Sequence, residues 1–259
     1  MTIDAHAHVF NLDGMSEYNN IPLFDYMRLH NIDKSSCIAT TYKETDKVIQ
    51  QVRDTPDKLF GIAYVNVWGI EDSLNNIRKY VNEGLFKGVI MQPSIQYQID
   101  SPMIEPFYRM CIELDIPVLF HNGRIASDSQ ITNIEEKSLG MEIPFTSYSI
   151  QIANILEKYP KLKIVFAHCG GYFYREILAL TEKYENAYMD TARLRYYAER
   201  TLPTISIYEW IEHAVKFIGS GKILFGGEGT FPIDIEKCNL SSMEKTNILI
   251  NNSVKLFKL

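Results

Sequence analysis

Four of the six histidines in this 259-residue chain close short apolar runs, and those are the residues with which chemistry could begin. His6 and His8 lie two apart at the end of "TIDAHAH". In an extended strand, residues i and i+2 project to the same side, so both imidazoles would face one space. Paired imidazoles start a transition-metal site, and zinc is common in mononuclear hydrolytic centres. The bland alternative is two polar residues at a strand end. His121 closes "IPVLFHNG" and His168 closes "KIVFAHCGG" in the same way. A fifth group stands out in "ILFGGEGTFP", where Glu228 sits among Gly226, Gly227 and Gly229 as an apolar run stops. Carboxylates are rarely buried without a partner, which leaves open what this one faces. His30 in "MRLHNID" and His213 in "WIEHAVKF" fall on helical patterns and read as solvated or capping residues.

Positioning these groups takes a repeating scaffold. The apolar runs are "TIDAHAH", "SSCIATT", "LFGIAYVN", "FKGVIMQP", "IPVLFHNG", "KIVFAHCGG", "NAYMDTA" and "KILFGGEG". Near-continuous apolar runs suit strands buried on both faces, as in a parallel sheet. Between them, "SPMIEPFYRMCIEL", "SIQIANILEKY" and "ISIYEWIEHAVKFI" carry apolar residues at three- and four-residue steps and predict helices. Eight strand signals alternating with helices, with no linker-like break, predict a single-domain (β/α)8 TIM barrel over residues 1–259. A doubly wound open sheet is the competing architecture. In a barrel the C-terminal strand ends form the active-site mouth, where the four histidines and Glu228 would gather. The polar stretch "RIASDSQITNIEEKSLGMEIPFTS" after His121 is long enough for a lid.

Composition narrows the setting. A net charge of -6 argues against nucleic acid as the main partner, because phosphate binding needs a basic surface. Cys37, Cys111, Cys169 and Cys238 are far apart and form no CxxC pair, which suits reduced thiols. The opening "MTIDAHAHVF" lacks a signal-peptide layout, and no apolar run reaches the ~18–20 residues that span a bilayer. The expectation is a soluble cytoplasmic protein with no membrane partner.

Taken in order, "IDAHAHVF", "LFHNG", "VFAHCGG" and "ILFGGEGTFP" resemble the amidohydrolase superfamily. The resemblance is to its amidohydrolase-2 branch of aromatic-acid decarboxylases, aminocarboxymuconate semialdehyde decarboxylases and lactonases. It spans the whole chain, down to "NILINNSVKLFKL", which is similar to the family's closing Asn–x–x–x–Leu–Phe helix. It implies His6, His8, His121 and Glu228 as metal ligands, with His168 beside the metal polarising the substrate. Other superfamily members bridge two metals with a carboxylated lysine on the fourth strand. Here that strand ends "VIMQP", with Gln92 and no lysine, which implies one divalent metal: zinc first, manganese or iron as alternatives. The family pattern has aspartate where this chain has Glu228, one methylene shorter. A homodimer is frequent among such relatives.

Arg124, Arg193 and Arg195 fall at the expected mouth, and guanidinium forks suit carboxylates, so a small anionic substrate is expected. Tyr42, Asn66 and Gln92 end other strands and could line the pocket, whereas Tyr172, Phe173 and Tyr174 could equally pack the next helix. Two reactions fit. In a hydrolase, water made acidic by the metal loses its proton to Glu228 and attacks an ester, lactone or amide. In a non-oxidative decarboxylase of an aromatic or muconate-type acid, the metal orients the acid while a base protonates the carbon that loses carbon dioxide. The hydrolase is the leading expectation and the decarboxylase its alternative. A catalytically weakened barrel that binds a small anion is the third, resting on the glutamate-for-aspartate change.

Overall fold

The computed structural model describes residues 1–12, 20–39, 44–67, 69–92, 99–121 and 149–259. Arg124, Tyr42 and the candidate lid lie outside the described residues. Each of the eight apolar runs contributes one strand to a single parallel sheet. In chain order the barrel strands are Ile3–Asp4, Lys34–Ile38, Leu59–Tyr64, Phe86–Met91, Val118–Phe120, Ile164–Phe166, Ala187–Asp190 and Ile223–Leu224. Every sequential pair is hydrogen-bonded in parallel register. The edges then meet: Ala5 N–H donates to Phe225 O at 2.8 Å, bringing the first strand against the eighth. An open doubly wound sheet would leave those edges apart, so the architecture is the (β/α)8 barrel.

The helices cover the barrel with the stripes that their spacing predicts. In Ile207–Ile218, Ile207, Trp210, Ile211, Ala214 and Val215 are buried, at steps of three and four residues. Its start is set by a capping box in which Ser206 Oγ accepts from Glu209 N–H and the Glu209 carboxylate accepts from Ser206 N–H. Helix Glu105–Leu114 buries Phe107, Tyr108, Met110 and Cys111, and follows a 3₁₀ turn begun by Pro102. Full burial of such side chains favours folding by roughly 1.5–3 kcal/mol each.

Two departures from the expected layout matter for the site. The first and eighth runs form regular strand for two residues each, so His6, His8 and Glu228 lie past the ladder. Beyond Asp4 the ladder gives way to side-chain bonds. His6 N–H donates to Asp4 Oδ1, and Ala7 N–H donates to Ser36 Oγ. Pairing resumes at a single bridge between His8 and Ile38. A short antiparallel hairpin, Phe10–Leu12 with Asn20–Pro22, also follows the first barrel strand. All four cysteines are free and buried. Among the described residues, no helix is long and apolar enough to cross a membrane.

Candidate metal centre

His6, His8, His121, His168 and Glu228 converge where the first, fifth, sixth and eighth barrel strands end. Ligand atoms of His6, His8 and Glu228 all lie within 4.8 Å of one another. The His6 and His8 rings are 5.4 Å apart between centroids. His168 stacks on His6 at 5.1 Å, and His121 meets His168 edge-on at 5.0 Å. Glu228 therefore faces imidazoles contributed by the opposite end of the chain.

Local backbone explains how each group reaches this space. After Phe166 the chain turns through left-handed conformations, with φ of 61° at His168, 46° at Cys169 and 86° at Gly170. Gly170 has further cause to lack a side chain, since a Cβ there would meet Ile177 at 2.8 Å. Just past the eighth strand, a Cβ at Gly226 would meet Ala192 N at 2.9 Å and His6 Cβ at 3.0 Å. One at Gly227 would meet Asp4 Oδ2 at 2.3 Å and the Tyr26 hydroxyl at 2.7 Å. The glycines before Glu228 thus let the last strand close tightly on the first and seventh. Glu228 itself adopts φ of 53°.

Hydrogen bonds settle which ring nitrogens face the site. His6 Nδ1–H donates to Asp190 Oδ2 at 2.8 Å. His168 Nδ1 lies 3.0 Å from Ala192 O, and a carbonyl only accepts, so this nitrogen carries the proton. Both rings then present Nε2. Those two nitrogens and Glu228 Oε2 are buried with no hydrogen-bond partner. Buried polar atoms are costly to leave unmatched. The His6 and His8 imidazoles and the Glu228 carboxylate, with ligand atoms within 4.8 Å of one another, match the donor set of a divalent metal.

Charge states follow from burial and neighbours. Burial alone would lower the pKa of His6, but the charge and hydrogen bond of Asp190 outweigh it and push it up to about 9. Burial, joined by His121 and His6, holds His168 well below the usual imidazole range and keeps it neutral. His8 is lowered as well, chiefly by burial. Burial raises Asp4 to about 7 against the bonds from His6 and Gly227 that favour its charge.

The expected rim residues fare differently. Arg193 Nη1 lies 3.7 Å from Glu228 Oε1, and the guanidinium stacks over Tyr196 at 4.8 Å. Arg195 instead donates from Nη2 to both oxygens of buried Asp234, at 3.0 and 3.1 Å, holding the helix Pro232–Lys237. Gln92 stands half-buried just beyond the fourth strand. Of the aromatic trio, Tyr174 packs on Trp210 and hydrogen-bonds His213 Nδ1 at 2.7 Å. Tyr172 is half-exposed against Tyr197, whose buried ring lies 5.6 Å from His168. His30 stacks on Phe231. Sequence reasoning missed Asp190 and Tyr197. Asp190 is the last residue of its strand in the "NAYMDTA" run, close to the strand ends at which the chosen histidines fall, which is the signal that could have found it.

Comparison with known proteins gives the family. The amidohydrolase family model matches residues 3–259. A 2-amino-3-carboxymuconate-6-semialdehyde decarboxylase from Dictyostelium discoideum is 23% identical over 236 residues, 83% of this chain. The chain spans 65% of that relative's length. A gamma-resorcylate decarboxylase from Polaromonas sp. is 22% identical over 258 residues, 88% of this chain and 78% of its own. A solved dihydroxybenzoic acid decarboxylase from Polaromonas sp., with bound manganese and 2-nitroresorcinol, superposes with a TM-score of 0.68 at 19% identity, covering 100% of this chain and 97% of that one. A probable 2-pyrone-4,6-dicarboxylic acid hydrolase from Acinetobacter baumannii superposes with a TM-score of 0.70 at 17% identity, covering 100% and 99%. With the family model matching nearly the whole length and the barrel carrying its histidines and carboxylate at the strand ends, the chain belongs to the amidohydrolase family.

Proposed function

We propose that the protein is a metal-dependent, non-oxidative decarboxylase of a small aromatic or muconate-type carboxylic acid. The observation that carries this reading is the cluster of His6, His8 and Glu228, whose ligand atoms lie within 4.8 Å of one another with His168 stacked on His6, in a chain two of whose curated relatives are decarboxylases. His6, His8, His121 and Glu228 would hold the metal. Manganese is the first ion to test, since it is bound in the dihydroxybenzoic acid decarboxylase neighbour. A divalent ion bound there supplies positive charge that orients the acid and stabilises the electron pair left behind as carbon dioxide departs.

The chain's own residues supply the rest. Arg193, beside Glu228, offers a guanidinium to the substrate's carboxylate, with Gln92 on the same rim. His168 is neutral, with Nδ1–H committed to Ala192 and Nε2 open toward the site. It accepts a proton at Nε2 from a substrate hydroxyl or water. It returns that proton to the carbon whose bond to the carboxylate breaks, so an acid anion and one proton become carbon dioxide and the protonated ring. Hydrolysis of a lactone is the second reading, favoured by the likeness to a pyrone dicarboxylate hydrolase. In that case Glu228 takes the proton of the attacking water.

The deciding experiment incubates the manganese-loaded protein with 2,6-dihydroxybenzoate, related hydroxybenzoates and a pyrone dicarboxylate. Carbon dioxide released from the benzoates is the expected result. Ring opening of the pyrone with no carbon dioxide would replace this reading with the hydrolase.

A further inference from the structure

We propose that Asp190 is the positioning residue of this centre, a single carboxylate that aims both the metal-binding His6 and the proton-carrying His168. The proposal rests on the metal-dependent reading above and adds a residue to it. Asp190 ends the seventh barrel strand and is fully buried. Its Oδ2 accepts from His6 Nδ1–H at 2.8 Å. Its Oδ1 accepts from the backbone N–H of His168 at 2.8 Å and from that of Ala192 at 3.0 Å. Ala192 O then accepts from His168 Nδ1–H at 3.0 Å, so residues 190 and 192 grip His168 by both backbone and ring.

Two consequences follow for the rings. A proton held on His6 Nδ1 leaves the Nε2 lone pair facing the site, the tautomer that a metal ligand needs. The backbone bond pins His168 at φ of 61°, a conformation that a non-glycine residue visits only with support. The two rings then stand 5.1 Å apart with 29° between their planes. Ligand and proton carrier are set by one group on a strand that supplies neither.

Asparagine at this position has the same shape and the wrong chemistry. With its NH2 toward His6, it meets Nδ1 donor to donor, unless the His6 proton moves to Nε2 and blocks the lone pair. With its NH2 toward His168 and Ala192, it opposes their backbone N–H groups. Neither orientation satisfies all three donors.

The test titrates metal-stripped protein with manganese by calorimetry. Asp190→Asn is expected to weaken binding by about 10–100-fold, while Ile77→Val, in the buried face of a remote helix, leaves it unchanged. A second arm labels histidine with ¹⁵N in the metal-free protein. The wild type should show a slowly exchanging, far-downfield imidazole proton that disappears in His6→Gln and in Asp190→Asn. A merely structural aspartate would not produce that resonance. Its absence from the wild type would overturn the proposal, as would unchanged manganese affinity in a folded Asp190→Asn. Should that variant fail to fold, the wild-type spectrum still decides. A wild type that binds no manganese would defeat the metal reading instead, leaving the resonance to judge Asp190.

Discussion

Glu228 occupies a backbone conformation, φ of 53°, that aspartate adopts more readily than most residues. Glu228→Asp should therefore leave the fold intact while drawing the carboxylate back by about 1.5 Å, one carbon–carbon bond. Displacements of about 1 Å can cost ~10²-fold in rate. We expect a kcat drop of that order with weakened manganese binding, read by carbon dioxide release and calorimetry. Turnover that is unchanged or raised would mean that glutamate is a drifted residue here and not an adapted one. His168→Gln separates the proton carrier from the ligands: kcat should fall by about 10²–10⁴-fold with manganese affinity near that of the wild type. Arg193→Gln removes the guanidinium beside Glu228 and should act mainly through KM, since its proposed partner is the substrate's carboxylate. A pure kcat effect would assign Arg193 to the chemistry instead.

The turns at the strand ends, more than the strands, decide what this barrel can do. Gly226→Ala puts a methyl 2.9 Å from Ala192 N and 3.0 Å from His6 Cβ, and backbone there has no room to retreat. A loss of about 1–3 kcal/mol is expected by chemical denaturation, together with weaker metal binding, because Glu228 moves with that turn. An unchanged midpoint would mean that the eighth strand shifts freely. The same turns mark the limit of what the sequence disclosed. The eight strands were legible because apolar runs buried on both faces differ sharply from the amphipathic stretches between them. His6, His8, His121 and His168 were legible because a polar residue closing such a run has few other places to go. Asp190 closes "NAYMDTA" just as visibly, yet its role is a bond to a ring that lies 184 residues away in the chain, and no local pattern encodes that pairing. Gly226 and Gly227 of "GGEG" answer chiefly to close approach by Ala192, His6 and Asp4, neighbours that no local pattern discloses. Arg195 and Arg193 looked alike in sequence, and only packing separates the one paired with Asp234 from the one beside Glu228.

Across the whole molecule, the two ends of the barrel do different work. Far from the candidate metal centre, Asp115 closes helix Glu105–Leu114 and takes ion pairs from Lys163 at 2.5 Å and Lys258 at 2.6 Å, tying the C-terminal helix to the start of the fifth and sixth strands. Hydrogen bonds from Lys163, then Lys258, hold its pKa below the usual aspartate value. A carboxyl lowered on folding contributes stability above its unfolded pKa of about 3.9 and loses it as pH falls through the lower folded value. Asp115→Asn keeps the left-handed backbone (φ of 54°) and removes the charge. It should cost under about 1 kcal/mol at pH 7, because the pair is largely exposed, with the difference from wild type vanishing in acid. Thermal melts across that pH range would show it, and activity per folded molecule should not change. The seam where Ala5 meets Phe225 has a different consequence. The groups proposed to hold the metal stand at positions 6, 8, 121 and 228, so no growing chain can assemble the centre until the eighth strand has left the ribosome. On that assignment the complete ligand set exists only in a closed barrel, so full metal affinity would report closure.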